Sequence, residues 1–261
     1  MMRIRLVQTA LKDFSLKTGL FRQTVFKTYR FMFEPHQLEF LMRCLRETKD
    51  VEGHILEIGC AYGATTVVLK KFLDHLGSTR PYTALDTFAG FLPEHTDYEI
   101  RERGKRAINR HAFSVNKKTW VAESLRQCQV AGVELVEGDA TKFDYSTRAP
   151  IAFCLLDLDV YQPVSVLLPI LYEHLAPGGI IVVDDCWEHF RWDGARIAYL
   201  EFAEANALAP EITCEKLGVI HRPAASSRPG RRAWRGPGEA GESRRPRPLR
   251  GQDTTTRKGA A

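Results

Sequence analysis

Short apolar runs alternate with helix-like segments along most of this chain. Five runs are almost continuously apolar, at residues 54–58, 82–85, 133–136, 151–156 and 180–183. Runs of this kind are typical of parallel strands that are buried on both faces. Helical periodicity separates or follows them at residues 34–49, 65–75, 119–129, 164–174 and 194–206. The pattern therefore predicts a doubly wound α/β sheet with helices on both faces.

Two further short runs close the pattern. Residues 211–214 and 217–221 are separated by almost nothing, which indicates an antiparallel hairpin. An antiparallel strand at the edge of a parallel sheet is a common variation. We expect a seven-stranded, Rossmann-like sheet with a final antiparallel strand.

The two ends of the chain differ from this central part. Residues 1–30 are basic and helix-compatible, and the alternatives are a lid, an oligomer contact, a targeting peptide or a solvated helix. Residues 222–261 are rich in Arg, Gly and Pro, which predicts disorder. We therefore divide the chain into a helical extension (1–50), a cofactor-binding domain (51–221) and a tail (222–261).

Charge and cysteine content exclude several classes of protein. The tail carries eleven basic and three acidic residues, whereas the other 221 residues carry 26 basic and 29 acidic ones, so the net charge of +5 arises in the tail. The tail has no repeated or aromatic-interleaved motif, so we do not expect a nucleic-acid partner. The six cysteines are scattered singly, which favours reduced thiols over disulfides or zinc. No run approaches the roughly 18 apolar residues of a membrane span, and we expect a cytoplasmic protein without a membrane partner.

The turn after the first strand is the first candidate for ligand binding. It contains Gly59 and Gly63, which permit a tight turn, and Thr65, which can offer a hydroxyl or N–H at the helix start. The Gly-x-x-x-Gly spacing fits a pyrophosphate poorly, whereas Glu57 suits a ligand with a cationic end, such as S-adenosyl-L-methionine. A purely structural turn is the alternative.

The next two strands also end in acidic residues. Asp86 lies where doubly wound folds hold a ribose diol, and Asp139 can accept a hydrogen bond from an adenine amino group. Each acid has an alternative role as a turn or cap residue. The full set of predicted cofactor-binding residues is Glu57, Gly59, Cys60, Gly63, Thr65, Asp86, Thr87, Gly138 and Asp139.

Carboxylates also follow the fourth and fifth strands. Asp157 ends one and the Asp184–Asp185 pair ends the other, and neighbouring strands lie only about 5 Å apart. Three unpaired carboxylates this close repel each other, and a hard divalent cation such as Mg²⁺ resolves the repulsion. We therefore predict Asp157, Asp184 and Asp185 as metal ligands, with Asp159 aimed at outer partners. The alternative is that these acids cap helices or pair with Arg191 or Arg196.

These motifs resemble the macrocin O-methyltransferase (TylF-type) family of class I methyltransferases. The matching segments are Glu57-Ile58-Gly59, Asp86-Thr87-Phe88-Ala89-Gly90, Glu137-Gly138-Asp139, Asp157-Leu158-Asp159-Val160-Tyr161, Pro177-Gly178-Gly179, Asp184-Asp185 and Trp192-Asp193-Gly194. The resemblance implies an S-adenosyl-L-methionine- and Mg²⁺-dependent O-methyltransferase acting on sugar hydroxyls of natural products. Two features depart from the family: Cys186 stands where an aromatic residue usually follows the Asp pair, and the Arg-rich tail is unusual.

The resulting hypothesis assigns roles to few residues. Asp157 is the expected proton acceptor, with His111 or His189 as alternatives, and residues 92–118 are a substrate lid or a plain surface insertion. We expect a small-molecule hydroxyl acceptor, either a glycoside or a polyol, and leave a homo-oligomer open. Alternative functions are a catechol-type O-methyltransferase and a non-catalytic S-adenosylmethionine-binding module.

Overall fold

A computed structural model describes residues 13–20, 32–105, 112–188 and 192–224. The described residues all belong to one compact unit, Met1–Ala225. The predicted tail lies almost entirely outside them, as do most of residues 1–30. Residues 13–18 are helical.

The fold is a seven-stranded sheet with helices between most of its strands. The strands are β1 (His54–Ile58), β2 (Tyr82–Asp86), β3 (Val133–Glu137), β4 (Ile151–Leu156), β5 (Leu175–Val183), β6 (Glu211–Thr213) and β7 (Leu217–His221). The helices are α1 (Pro35–Glu47), α2 (Ala64–His75), α3 (Pro93–Arg101), α4 (Lys118–Gln127), α5 (Tyr161–His174) and α6 (Gly194–Ala205). Their order and type confirm the predicted α/β class.

The strand order is β3-β2-β1-β4-β5-β7-β6. Strands β1 to β5 are mutually parallel, and β7 pairs antiparallel with β5, as predicted. The strand order reverses between β1 and β4, and ligands of open α/β sheets bind at this switch point.

Two hydrophobic cores lie on opposite faces of the sheet. The alternation along β4 assigns Phe153 and Leu155 to one core and Cys154 and Leu156 to the other. Helix α1 contributes its buried face to the first of these cores. All six cysteines are free thiols. Among the described residues, no helix has the length and apolar character that crossing a membrane requires.

Two elements differ from the predicted pattern. Strand β5 begins at Leu175, five residues before the predicted strand, because Leu175 pairs with Ile151 before the register shifts. Helix α3 lies inside the segment predicted as a lid or insertion. It begins with Pro93 in its first turn and is mostly polar, so hydrophobic periodicity does not reveal it.

Candidate active site

One cavity of about 280 Å³ lies at the carboxyl edge of the sheet. Its wall combines the ends of β1 to β5 with the loops that follow them. The polar and glycine residues of the wall are Gly59, Asp86, Thr87, Gly90, His95, Gly138, Asp139, Asp157, Asp159, Asp184, Asp185 and Lys216. Five of the nine predicted cofactor residues and all three predicted metal ligands are among them.

Gly59 joins the two halves of this cavity. Its φ is +93°, and a Cβ built at Gly59 would lie 1.7 Å from the backbone oxygen of Asp157. Its N–H donates to the oxygen of Leu85 at the end of β2 (2.8 Å). No other residue type allows this contact between the ends of β1 and β4.

Four predicted cofactor residues do not line the cavity: Glu57, Cys60, Gly63 and Thr65. Gly63 has a packing role, because a Cβ there would lie 2.8 Å from Cγ1 of Val121. Cys60 is buried in the first core, and burial raises the pKa of its thiol. More residues of this turn therefore pack in the protein interior, and fewer line the cavity, than we expected.

Glu57 faces the protein interior. It is 1% exposed, and its Oε2 accepts a hydrogen bond from the hydroxyl of Tyr82 (2.6 Å). Burial raises the pKa of Glu57 to about 7, although the Tyr82 hydrogen bond opposes the change. The expectation that Glu57 meets a cationic ligand end is therefore not matched by its position.

Asp86 and Thr87 line the cavity where we expected a ribose. The Asp86 carboxylate accepts from the backbone N–H groups of Ala61 (2.8 Å) and Phe88 (2.7 Å), and each oxygen retains a further lone pair. Thr87 donates to the oxygen of Gly90 (2.6 Å) and so fixes the turn after β2. These contacts hold the Asp86 carboxylate rigidly at the cavity wall.

Asp139 lines the cavity and also has the capping role that we considered for it. Its Oδ1 accepts from the backbone N–H and the hydroxyl of Thr141, and it caps the short helical turn Ala140–Lys142. Burial acts to raise the pKa of Asp139, but hydrogen bonds from Thr141 and Lys142 outweigh it and lower that pKa. Gly138, on the same wall, has open space where a Cβ would lie.

The three predicted metal ligands converge. One carboxylate oxygen from each of Asp157, Asp184 and Asp185 lies within 4.8 Å of the other two. Burial and the neighbouring carboxylates raise the pKa of Asp157 well above its usual range, and they raise the pKa of Asp184 to about 7. Such crowding of carboxylates is costly unless protons or a cation compensate it.

The residues present fit a small divalent cation. Asp184 is 2% exposed, and its Oδ1 has no hydrogen-bond partner among the described residues. This unpartnered buried oxygen and the oxygens of the two neighbouring carboxylates together form an all-oxygen donor set, which Mg²⁺ prefers. The cluster also borders the cavity, so an ion would keep positions open to a ligand.

Asp159 belongs to the same cavity wall. Its φ is +57°, and the N–H of Val160 donates to the oxygen of Leu158 across it (2.6 Å). Burial, the charge of Asp185 and a hydrogen bond with Asp185 raise the pKa of Asp159 well above its usual range. A non-glycine residue in this conformation is uncommon, and such positions cluster at functional sites.

Lys216 is a site residue that the sequence did not reveal. Its Nζ donates to Oδ2 of Asp184 (2.6 Å) and lies 3.7 Å from Oδ1 of Asp185. The cationic partner of the cluster is therefore Lys216, and Arg196 forms no ion pair with it among the described residues. Arg191 lies outside those residues.

The wall also contains side chains from the segment predicted as a lid. Leu92, His95 and Phe113 line the cavity, and burial lowers the pKa of His95. Tyr98, within this segment, and Trp120, just after it, do not line the cavity, and Tyr98 stacks on Tyr161 (5.8 Å between ring centroids). The alternative proton acceptors His111 and His189 lie outside the described residues.

The residue after the Asp pair departs from the family pattern in a simple way. Cys186 is fully buried, and its N–H donates to the oxygen of Lys216 (2.8 Å). The next residue, Trp187, lines the cavity, and its Nε1 donates to Oδ1 of Asp185 (3.2 Å). The aromatic side chain is therefore present one position later.

Comparisons with known proteins agree with this geometry. Residues 29–222 match the profile of the family described as Macrocin-O-methyltransferase (TylF). The O-methyltransferase NovP is similar in structure, with 18% identity, a TM-score of 0.59 and coverage of 74% of this chain and 82% of NovP. CalS11, a calicheamicin methyltransferase, has 18% identity and a TM-score of 0.59, over 82% of this chain and 90% of CalS11. The apo structure of CalS11, described as a TDP-rhamnose 3'-O-methyltransferase, gives 17% identity and a TM-score of 0.51, over 82% and 92%. No curated protein matches the sequence.

Proposed function

We propose a specific reaction for this chain, which belongs to the Macrocin-O-methyltransferase (TylF) family and is an O-methyltransferase. It moves a methyl group from S-adenosyl-L-methionine to a sugar or polyol hydroxyl with the help of Mg²⁺. The observation that carries the proposal is the convergence of Asp157, Asp184 and Asp185 beside a cavity, with one buried oxygen of Asp184 left without a partner.

The cofactor is assigned to the half of the cavity formed by β1, β2 and β3. Asp86 retains lone pairs for a ribose diol, and Gly138 leaves open space beside Asp139. Because Asp86 is held by two backbone N–H groups, the carboxylate is preorganised to accept from a ligand. Asp86 and Asp139 would hold the cofactor on this side of Gly59, and the cofactor would supply the methyl group there.

The acceptor is assigned to the half of the cavity at the ends of β4 and β5. Asp157, Asp184 and Asp185 would hold the ion, and the bound ion would orient an acceptor hydroxyl and lower its pKa. Alignment of the acceptor oxygen with the sulfonium methyl is the main catalytic task of the protein. Leu92, Phe113 and Trp187 form an apolar part of the same cavity wall.

The proton acceptor is a carboxylate of the same cavity. We retain Asp157 as the assigned acceptor, and Asp159 is the second candidate because it borders the cavity without belonging to the three-carboxylate cluster. Substitution of each by Asn separates them. A general base must be deprotonated to act, so turnover should rise with pH as the proton acceptor ionises. If Asp159 takes the proton, Asp159→Asn should abolish this rise while ion binding is retained.

We propose a sugar hydroxyl as the acceptor because the resemblance to the TylF family implies sugar hydroxyls of natural products. The structurally similar CalS11 is described as a TDP-rhamnose 3'-O-methyltransferase. The rival is a planar phenol of the catechol type, which also presents vicinal oxygens to an ion. A panel of glycosides and catechols assayed with isotopically labelled cofactor distinguishes them. Cofactor binding without any product from either class would favour a non-catalytic module.

The proposal is tested by Asp157→Asn and Asp185→Asn in the full-length chain. We expect methyl transfer to fall at least about a thousandfold in either variant, because the ion and the acceptor lose their support. Cofactor affinity, measured by titration calorimetry, should change less than about threefold, since the cofactor contacts lie on other strands. Asp74→Asn, on the half-exposed face of α2, is the matched control and should retain activity. Full activity in EDTA would refute the role of the ion.

A further inference from the structure

Lys216 is held in place by an unusual backbone. It follows Cys214 and Glu215, whose φ values of +46° and +69° are both left-handed. The N–H of Lys216 donates to the oxygen of Cys214 (2.9 Å), and its own oxygen accepts from the N–H of Cys186 (2.8 Å). The hairpin turn is thereby fixed to the end of β5, next to the carboxylate cluster.

The Lys216 side chain is buried in the site. It is 4% exposed, and its Nζ lies 4.4 Å from the centroid of the Phe33 ring. The ammonium reaches both carboxylates of the Asp184–Asp185 pair, at 2.6 Å and 3.7 Å. Among the described residues that line the cavity, Lys216 is the one that carries an ammonium or guanidinium group.

These contacts divide the carboxylate oxygens into two sets. Oδ2 of Asp184 is occupied by Lys216, whereas Oδ1 has no hydrogen-bond partner among the described residues. Oδ1 of Asp185 faces Lys216 and also accepts from Nε1 of Trp187 (3.2 Å). Each carboxylate therefore has at least one oxygen that is already engaged, and Asp185 also has the hydrogen bond with Asp159.

We propose that Lys216 is a positioning residue that reserves one oxygen of Asp184 and one of Asp185, and so limits each carboxylate to a single bond with a metal ion. This inference rests on the proposed function, because it requires an ion at the cluster. Its consequence is ion selectivity: the site favours a small ion over a larger one of equal charge.

The selectivity follows from coordination chemistry. Mg²⁺ requires near-octahedral geometry, retains several waters and accepts single oxygens from carboxylates. Ca²⁺ takes six to eight oxygens and readily binds both oxygens of one carboxylate. Removal of the ammonium frees the second oxygen of Asp184 and partly frees that of Asp185, which benefits Ca²⁺ more than Mg²⁺.

Comparison of two ions of the same charge removes a confounding effect. Loss of the Lys216 ammonium also removes repulsion toward any cation, which strengthens the binding of Mg²⁺ and Ca²⁺ alike. The ratio of the two dissociation constants cancels this common contribution. A counter-charge role for Lys216 changes both constants together, whereas a positioning role changes their ratio.

The test is titration calorimetry of the full-length chain with Mg²⁺ and with Ca²⁺, in the absence of cofactor and acceptor. For Lys216→Met we expect the Ca²⁺-to-Mg²⁺ ratio of dissociation constants to fall about tenfold from the wild-type value. Lys70→Met is the matched control, since Lys70 is also a buried lysine paired with one carboxylate, Asp74, but lies away from the cavity. Its ratio should equal that of the wild type.

A second variant keeps the inference testable if Lys216→Met does not fold, as judged by circular dichroism. Trp187→Phe retains an aromatic ring but removes the donor to Oδ1 of Asp185. We expect a shift of the ratio in the same direction but smaller, about threefold.

Two outcomes would overturn the inference, and they differ in whether the proposed function fails with it. If the wild type prefers Mg²⁺ and neither variant changes the ratio, Lys216 does not position the carboxylates, and the proposed function is unaffected. If the wild type binds neither ion, the ionic part of the proposed function fails together with this inference.

Discussion

Replacement of Glu57 by Gln should make the protein more stable at alkaline pH. Glu57 is 1% exposed, and burial raises its pKa from 4.5 to about 7. The folded chain therefore keeps this carboxyl protonated up to about pH 7, whereas the unfolded chain ionises it above about pH 4.5. Unfolding releases a proton in this window, so the Glu57 contribution to stability is present at low pH and is lost as pH rises through the window.

The size of the effect follows from the same two pKa values. At about 1.36 kcal/mol for each pH unit, the loss in the wild type is about 3 kcal/mol, most of it between pH 5 and pH 8.5. Glu57→Gln has no such loss, and its amide oxygen can still accept from Tyr82. The clustered aspartates Asp157, Asp159 and Asp184 contribute losses of the same sign, but they contribute equally to both proteins.

The assay is urea unfolding of the wild type and Glu57→Gln at pH 5 and pH 8.5, in EDTA. The difference in unfolding free energy between the two proteins should move by about 2 to 3 kcal/mol in favour of the variant at pH 8.5. Glu137→Gln, at the exposed end of β3, is the control and should show no such movement. Equal pH dependence of the wild type and Glu57→Gln would refute the reasoning. Loss of cofactor affinity without any gain in stability would instead support contact with the cofactor's cationic end.

Substitutions at two other positions test the turns after β1 and β3. Gly59→Ala should cost at least about 2 kcal/mol of stability and lower methyl transfer, because the new Cβ would meet the Asp157 oxygen. An unchanged melting temperature in calorimetry would contradict this prediction. Asp139→Ala should weaken cofactor binding about tenfold, whereas Asp139→Asn, which can still cap Thr141, should weaken it less. Unchanged affinity in calorimetric titrations of both Asp139 variants would leave this residue with its capping role alone.

The sheet and the acid cluster were predictable from sequence for a common reason. Buried parallel strands are continuously apolar, so a carboxylate such as Asp157 or Asp184 that directly follows one must lie at the carboxyl edge. The strand order then brings the ends of β4 and β5 together. No side-chain geometry is needed for that conclusion.

The position of Glu57 was not predictable in the same way. Strand β1 is buried on both faces, so its composition does not indicate which face each residue occupies. In the structure, Leu56 and Ile58 share one core, which places Glu57 between them on the opposite face, toward Tyr82. The identity of the residue suggested a ligand contact, but the two-residue period of the strand determined its direction.

Lys216 was missed because its role depends on tertiary structure alone. About thirty residues separate it from the Asp184–Asp185 pair, and a lysine near a hairpin is normally solvated. The left-handed conformations of Cys214 and Glu215 direct Lys216 inward, and neither Cys nor Glu is a residue type that predicts a positive φ. The mostly polar helix α3, which contributes His95 to the cavity wall, was missed for want of hydrophobic periodicity.

The strand order also explains why one glycine matters to both halves of the site. The chain builds β2 and β3 outward on one side of β1, and then β4 and β5 on the other side, so the switch point lies at the end of β1. Gly59 occupies that point: its N–H bonds to the end of β2, and its Cα abuts the backbone of Asp157 after β4. In-line methyl transfer requires the donor carbon and the acceptor oxygen to be close together. Because the proposed cofactor side and the carboxylate side meet at a residue without a side chain, their separation is set by backbone contact, and any substituent at Gly59 would increase it.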